Sequence, residues 1–180
     1  MKSILLTAAA VLVTSSLIYS GSITGDEKTE PDTTTYIFEG DIAPAFDVNT
    51  IDGKEIDLQK LKGKVILINY FATWCPPCLK ELPYMESELY KKIKNEDFVL
   101  ICIGREHTAE ELVKFKEEKG LDLPFAPDPE REIYSKYAKM MIPRNFVVGR
   151  DGRVIYQHIG FEMEEFENMI TIITNALKNQ

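Results

Sequence analysis

The sequence predicts an α/β domain built on a central mixed β-sheet flanked by helices. Lys64-Val65-Ile66-Leu67-Ile68-Asn69-Tyr70-Phe71 and Phe98-Val99-Leu100-Ile101-Cys102-Ile103 are apolar, β-branched runs with little alternation, the pattern of strands buried on both faces. A segment of helical period follows each run. Paired strand-like runs around an Asp-Gly turn stand at both ends of this region, at Asp52-Gly53 and at Asp151-Gly152, and read as hairpins.

The chain opens with one basic residue, Lys2, and an apolar run to Ile18 broken by Thr7, Thr14, Ser15 and Ser16. That run is short for a membrane span and suits a signal h-region, so residues 1–22 are expected to direct export. Ser20-Gly21-Ser22 offers a small-x-small cleavage site. Both cleavage there and retention as an N-terminal membrane anchor are compatible with the segment. No cysteine follows the apolar run, which excludes lipid attachment at an N-terminal cysteine. Residues 23–35 are polar, rich in threonine and acid, and read as a flexible linker. Residues 36–180 then have the length of one domain.

Within that domain, Phe46-Asp47-Val48 and Lys54 to Leu58 form the first hairpin, expected at an edge of the sheet. Leu79, Leu82, Met85, Leu89 and Ile93 mark one face of a helix. Thr108 with Glu111 three residues on is a capping box, opening a helix that runs to Lys119 and stops at Gly120. A short helix is expected in Asp128 to Tyr137. Arg144 to Val148 and Val154 to Gln157 pair as the second hairpin. Glu162 to Leu177 closes the domain as an amphipathic helix with an acidic, solvated first turn.

Trp74-Cys75-Pro76-Pro77-Cys78 places two thiols three residues apart where the first buried strand meets a helix. Helix N-terminal donors favour a thiolate at Cys75, the species that attacks disulfides, which makes Cys75 the expected nucleophile. Cys78, one turn further along, is the expected resolving thiol. Pro76 and Pro77 fit the first helical turn, yet each withholds an N–H from the thiolate, so its stabilisation should be moderate. A zinc site would need a second short-spaced pair of ligands. Cys102, His107 and His158 stand singly, so no metal is expected: Cys102 reads as a buried apolar thiol and the two histidines as surface or strand residues. Trp74 reads as an exposed apolar rim beside the nucleophile. Met140-Met141 reads as packing.

Phe71-Ala72-Thr73-Trp74-Cys75-Pro76-Pro77-Cys78 followed by Glu81-Leu82-Pro83 resembles the TlpA/ResA group of thioredoxin-like thiol-disulfide oxidoreductases. Gly40 to Phe46, Asp52-Gly53-Lys54, Leu61 to Lys64, and Met141 to Val148 with Asp151-Gly152-Arg153 extend the resemblance from about residue 38 to the C-terminus. It implies a thioredoxin fold with an added N-terminal β-hairpin, and redox work in the bacterial periplasm or at the outer face of the cytoplasmic membrane. It also implies a cis Ile142-Pro143 bond facing the cysteines, with substrate docking at Ile142 as an added strand. Protein disulfides are the implied substrates, apocytochrome c among them, with electrons from a membrane donor. Three positions depart from the group or fit it loosely. Asn69 stands where thioredoxin keeps a buried acid, so that proton shuttle is expected to be absent. Glu106 falls one residue late for a glutamate near the cysteines, and Arg144-Asn145 replaces a threonine pair.

Formal charge is -8, and -9 without residues 1–22, whose only charge is Lys2, so nucleic acid is not an expected partner. No glycine-rich nucleotide fingerprint follows a strand, and no cofactor is expected. Thr73 lies two residues before Cys75, one short of peroxiredoxin spacing. The readings carried forward are a reductant of protein disulfides, a disulfide donor using the same dithiol, and a copper chaperone.

Overall fold

The computed structural model describes residues 32–93, 95 and 97–178. The expected signal or anchor segment, and all of the expected linker except its last four residues, lie outside the described residues. A five-stranded mixed sheet, order β5-β4-β3-β6-β7, forms the centre. Its strands are β3 (Val65–Phe71), β4 (Phe98–Arg105), β5 (Phe125–Asp128), β6 (Arg144–Val148) and β7 (Val154–Ile159). β3 runs parallel to β4, and β4 to β5, while β6 and β7 are antiparallel additions on the other side of β3.

Every residue of β3 is buried, as its unbroken apolar run requires. Val65, Leu67 and Phe71 face one core layer with Leu82, Met85, Leu112, Phe115, Phe166 and Ile173. Ile66, Ile68 and Tyr70 face a second with Phe46, Ile56, Tyr134 and Tyr137. Side chains on a strand alternate between faces, so one strand nucleates both layers. Burying a side chain of this size stabilises by ~1.5–3 kcal/mol.

The helices are α1 (Pro76–Tyr84), α2 (Ala109–Lys119), α3 (Tyr134–Tyr137) and α4 (Met163–Lys178). The capping box of α2 closes in both directions: Thr108 Oγ1 accepts the Glu111 N–H at 3.3 Å and Glu111 Oε2 accepts the Thr108 N–H at 2.8 Å. Gly120 ends the helix at φ +64°, a left-handed conformation that glycine adopts without steric cost.

Several elements differ from expectation. The hairpin β1 (Asp47–Asn49) and β2 (Glu55–Asp57) is a separate two-stranded sheet and not an edge of the central one, although the Ile51 N–H does reach Phe125 O at 2.8 Å. The helix expected to reach Ile93 is α-helical only to Tyr84 and continues as a π-helical turn, Met85–Tyr90. Pro83 has no N–H to give to the carbonyl four residues back, and insertions of this kind follow such interruptions. β5 has no counterpart in the sequence reading. The helix expected within Asp128 to Tyr137 shrinks to α3, because the Asp128 carboxylate accepts the N–H groups of Ile133 and Tyr134 and fixes a turn before it. Packed structure begins before Tyr36: Thr35 is buried and bridges Ala138, and the Lys139 N–H donates to Thr34 O at 2.8 Å.

Candidate active site

β3 ends at Phe71, and the chain turns through Ala72, Thr73 and Trp74 into α1, so the helix starts beside the C-terminal end of the sheet. Cys75 is the N-cap of α1, with extended backbone, and its Sγ accepts the Cys78 N–H at 3.3 Å. Pro76 and Pro77 fill the first helical positions. The two sulfurs are joined as a disulfide. Both cysteines are buried, Cys75 at 3% exposure and Cys78 at none.

The opposing wall is the loop before β6, where the Ile142-Pro143 peptide bond is cis. Ile142 O lies 3.7 Å from Cys75 Sγ. Trp74 forms the rim, 58% exposed, with the Arg105 guanidinium 5.5 Å from its ring centre. Glu106, in left-handed backbone at φ +65°, directs its carboxylate to Arg105 and Arg131 at 3.3 and 3.5 Å. Its link to the dithiol therefore runs through Arg105 and Trp74.

Two features escaped the sequence reading. His107 is buried in the loop after β4, not on the surface, and its Nε2 accepts the Thr73 N–H at 3.0 Å. It holds the turn that carries Trp74 and Cys75, with Nδ1 3.5 Å from a Glu111 carboxylate oxygen. His158 is a half-buried residue of β7, as expected of a strand histidine.

The second feature is an acid. Glu81 follows Cys78 by three residues on α1, on the same side of the helix, and is 1% exposed. Asn145 Nδ2 donates to its Oε1 and Asn69 Nδ2 to its Oε2 at 2.9 Å, while Asn69 also donates to Asn145 Oδ1 at 2.8 Å. Burial raises the carboxyl to about 7, against the pull of the Asn145 and Asn69 N–H groups. A buried acid from the helix thus rests on the amide of Asn69. A glutamate three residues after a helical cysteine, with an amide in the strand behind it, is the signal that could have found it.

A family model described as Redoxin matches residues 38–173. The chain belongs to the redoxin family. The thiol-disulfide oxidoreductase ResA of Bacillus anthracis is 38% identical over 126 residues, covering 70% of this chain and 72% of the relative. A solution structure from Bacteroides thetaiotaomicron aligns at a TM-score of 0.77 with 33% identity, over 81% of this chain and 94% of that one. A thioredoxin-family thiol:disulfide interchange protein from Chlorobium tepidum TLS aligns at 0.64 with 27% identity, over 76% and 95%. This redoxin is a thiol-disulfide oxidoreductase of the ResA and thioredoxin type, with Cys75 and Cys78 as its cysteine pair.

Cys102, the third cysteine of this redoxin, is fully buried opposite Asn69 in β4, with Sγ 3.8 Å from Met85 Sδ. Burial, with a smaller contribution from Glu81, pushes its thiol well above the ordinary range, and such thiols are inert. Cys102→Ala is expected to leave turnover unchanged at a stability cost of about 1 kcal/mol. Urea unfolding and insulin reduction check both halves, and rapid alkylation of Cys102 in the native protein would contradict its placement.

Proposed function

We propose that the chain is an exported reductant of protein disulfides, of the kind that serves cytochrome c maturation, with apocytochrome c as the candidate substrate. Cys75 thiolate attacks one sulfur of the substrate disulfide and expels the other as a thiolate. Cys78 then attacks Cys75 and releases the second substrate thiol, leaving the Cys75–Cys78 disulfide. Two electrons pass to the substrate. Glu81, buried beyond Cys78 and with its carboxyl at about 7, takes up the Cys78 proton as the resolving thiolate forms, since an acid near the working pH is suited to that exchange. Ile142 and Pro143 present the edge on which an extended substrate segment lies, and Trp74 covers the approach. A membrane donor restores the dithiol.

Export is supported by the apolar run from Ile4 to Ile18 behind Lys2. Among the described residues no helix is long and apolar enough to cross a membrane, so attachment, where it occurs, falls to that N-terminal segment.

The observation that carries the direction of electron flow is at Cys75 itself. Its sulfur accepts the Cys78 N–H, while Pro76 and Pro77 offer no N–H at all. A strongly oxidising dithiol needs a heavily stabilised thiolate, and this environment provides little of that. The couple is expected nearer ~-270 mV than ~-120 mV. Equilibration against glutathione of known ratio, read by thiol trapping, measures it. A value above about -150 mV would favour the disulfide-donor reading instead.

A further inference from the structure

Arg144 directly follows Pro143 and is the largest of the fully buried side chains described. A guanidinium out of water is costly unless its donors are met; here both Nη groups find acceptors, while the buried Nε has none among the described residues. Nη1 donates to Thr35 Oγ1, and Nη2 donates to Thr34 Oγ1 at 2.8 Å and to Met140 O at 2.9 Å. The charge is balanced through the same segment: Thr35 Oγ1 donates to Asp32 Oδ2, which lies 4.0 Å from Nη1, and Thr34 donates to Asp32 Oδ1 from both N and Oγ1. Asp32 is held low, to about 2; partial burial opposes this, but the Thr34 and Thr35 hydrogen bonds outweigh it. Asp32 to Tyr36 therefore forms a strap laid antiparallel along Tyr137 to Lys139, with Arg144 beneath it.

What the guanidinium holds on its other side is the substrate-facing loop. Met140 O is bound by Arg144, and Met141 O accepts the Tyr134 hydroxyl at 2.6 Å. Met141 sits at φ +78°, a conformation that a side-chain-bearing residue keeps only when its surroundings enforce it. With those two carbonyls secured by buried donors, Ile142 O is the next in line, and it is the one turned to Cys75 Sγ. The Met140 and Met141 side chains are left exposed on the same loop.

We propose that Arg144 is a positioning residue for protein substrates, and that the strap Asp32 to Thr35 supplies the acceptors through which it holds the Met140 to Ile142 loop in docking geometry. The inference rests on Ile142 being the docking edge of the reductant described above. It separates two classes of substrate. A peptide segment needs the loop edge in place, whereas a small aromatic disulfide needs only access to Cys75.

The test uses the full chain with Thr34→Val/Thr35→Val, which keeps side-chain volume and removes both hydroxyl acceptors. Thr34→Ser/Thr35→Ser, which restores them, is the rescue. Insulin reduction under steady-state conditions, the rate with 5,5'-dithiobis(2-nitrobenzoate) and the reduction potential are measured on each. The valine variant is expected to raise KM for insulin at least about tenfold, since two hydrogen bonds to a charged group are lost and one alone is worth about that factor, with kcat, the small-disulfide rate and the potential unchanged and the serine variant behaving as wild type. An unchanged insulin KM would overturn the proposal. So would equal losses on insulin and the small disulfide, which is the signature of a purely structural arginine. Should the double valine variant not fold, Thr34→Val alone carries the same comparison, since it removes a single acceptor from Nη2. The potential of the wild type tests the reductant reading separately, so its failure is distinguishable from a failure of the clamp.

Discussion

Cys75→Ser is expected to reduce insulin no faster than the background set by dithiothreitol alone, whereas Cys78→Ser is expected to accumulate mixed disulfides with its substrates. The asymmetry follows from position. Cys75 caps the helix with its sulfur on the Cys78 N–H and keeps the pair's residual exposure, while Cys78 is enclosed within the first turn of α1. A serine at 75 offers a hydroxyl that is protonated at neutral pH and does not attack sulfur. A serine at 78 leaves the attack intact and removes the group that releases the product. Non-reducing electrophoresis of the two variants after exposure to a disulfide-bonded substrate distinguishes them, and a trapped adduct on the Cys75→Ser protein in place of the Cys78→Ser protein would reverse the assignment.

The parts of this site that could be read from sequence are those whose signal is local. β3 and β4 announce themselves because parallel central strands are apolar on both faces, and α2 because Thr108 and Glu111 satisfy one another's backbone within four residues. The dithiol is legible because its strand and helix flank it directly. What stayed hidden depends on long-range contacts. β5 is only Phe-Ala-Pro-Asp, and a strand of four residues containing proline has almost no periodicity to detect. Asp32 to Thr35 has a linker's composition, and contacts more than a hundred residues later, with Tyr137 to Lys139 and with Arg144, turn it into packed structure. His107 reads as a surface or strand histidine until Thr73 is brought against it.

Glu81 belongs to the same class: on the helix it stands between the apolar positions Leu79 and Leu82, and nothing local marks it as buried. Its burial is made by Asn69 and Asn145 from β3 and β6. The consequence for stability has a definite sign. The folded, oxidised protein holds this carboxyl at about 7 against an ordinary 4.5. Between those values the folded state keeps a proton that the unfolded chain has lost, so stability falls as pH rises through that window and levels off above it. The loss is about 3 kcal/mol for a shift of this size. Glu81→Gln, which can still accept a hydrogen bond from an asparagine but cannot ionise, is expected to lack this slope and to be the more stable protein at pH 8, as read by urea unfolding at a series of pH values. The same substitution removes the proton acceptor proposed for Cys78. Resolution of the mixed disulfide at pH 7 should slow by ~10²-fold, the lower range for losing a general base, while the first attack by Cys75 proceeds unchanged. Stopped-flow measurement of the two steps separates them. Glu81→Gln resolving at the wild-type rate would remove Glu81 from the chemistry and leave it a buried acid of structural consequence alone, and a wild-type stability that does not fall between pH 5 and 7 would contradict the buried carboxyl raised to about 7 from which both expectations derive.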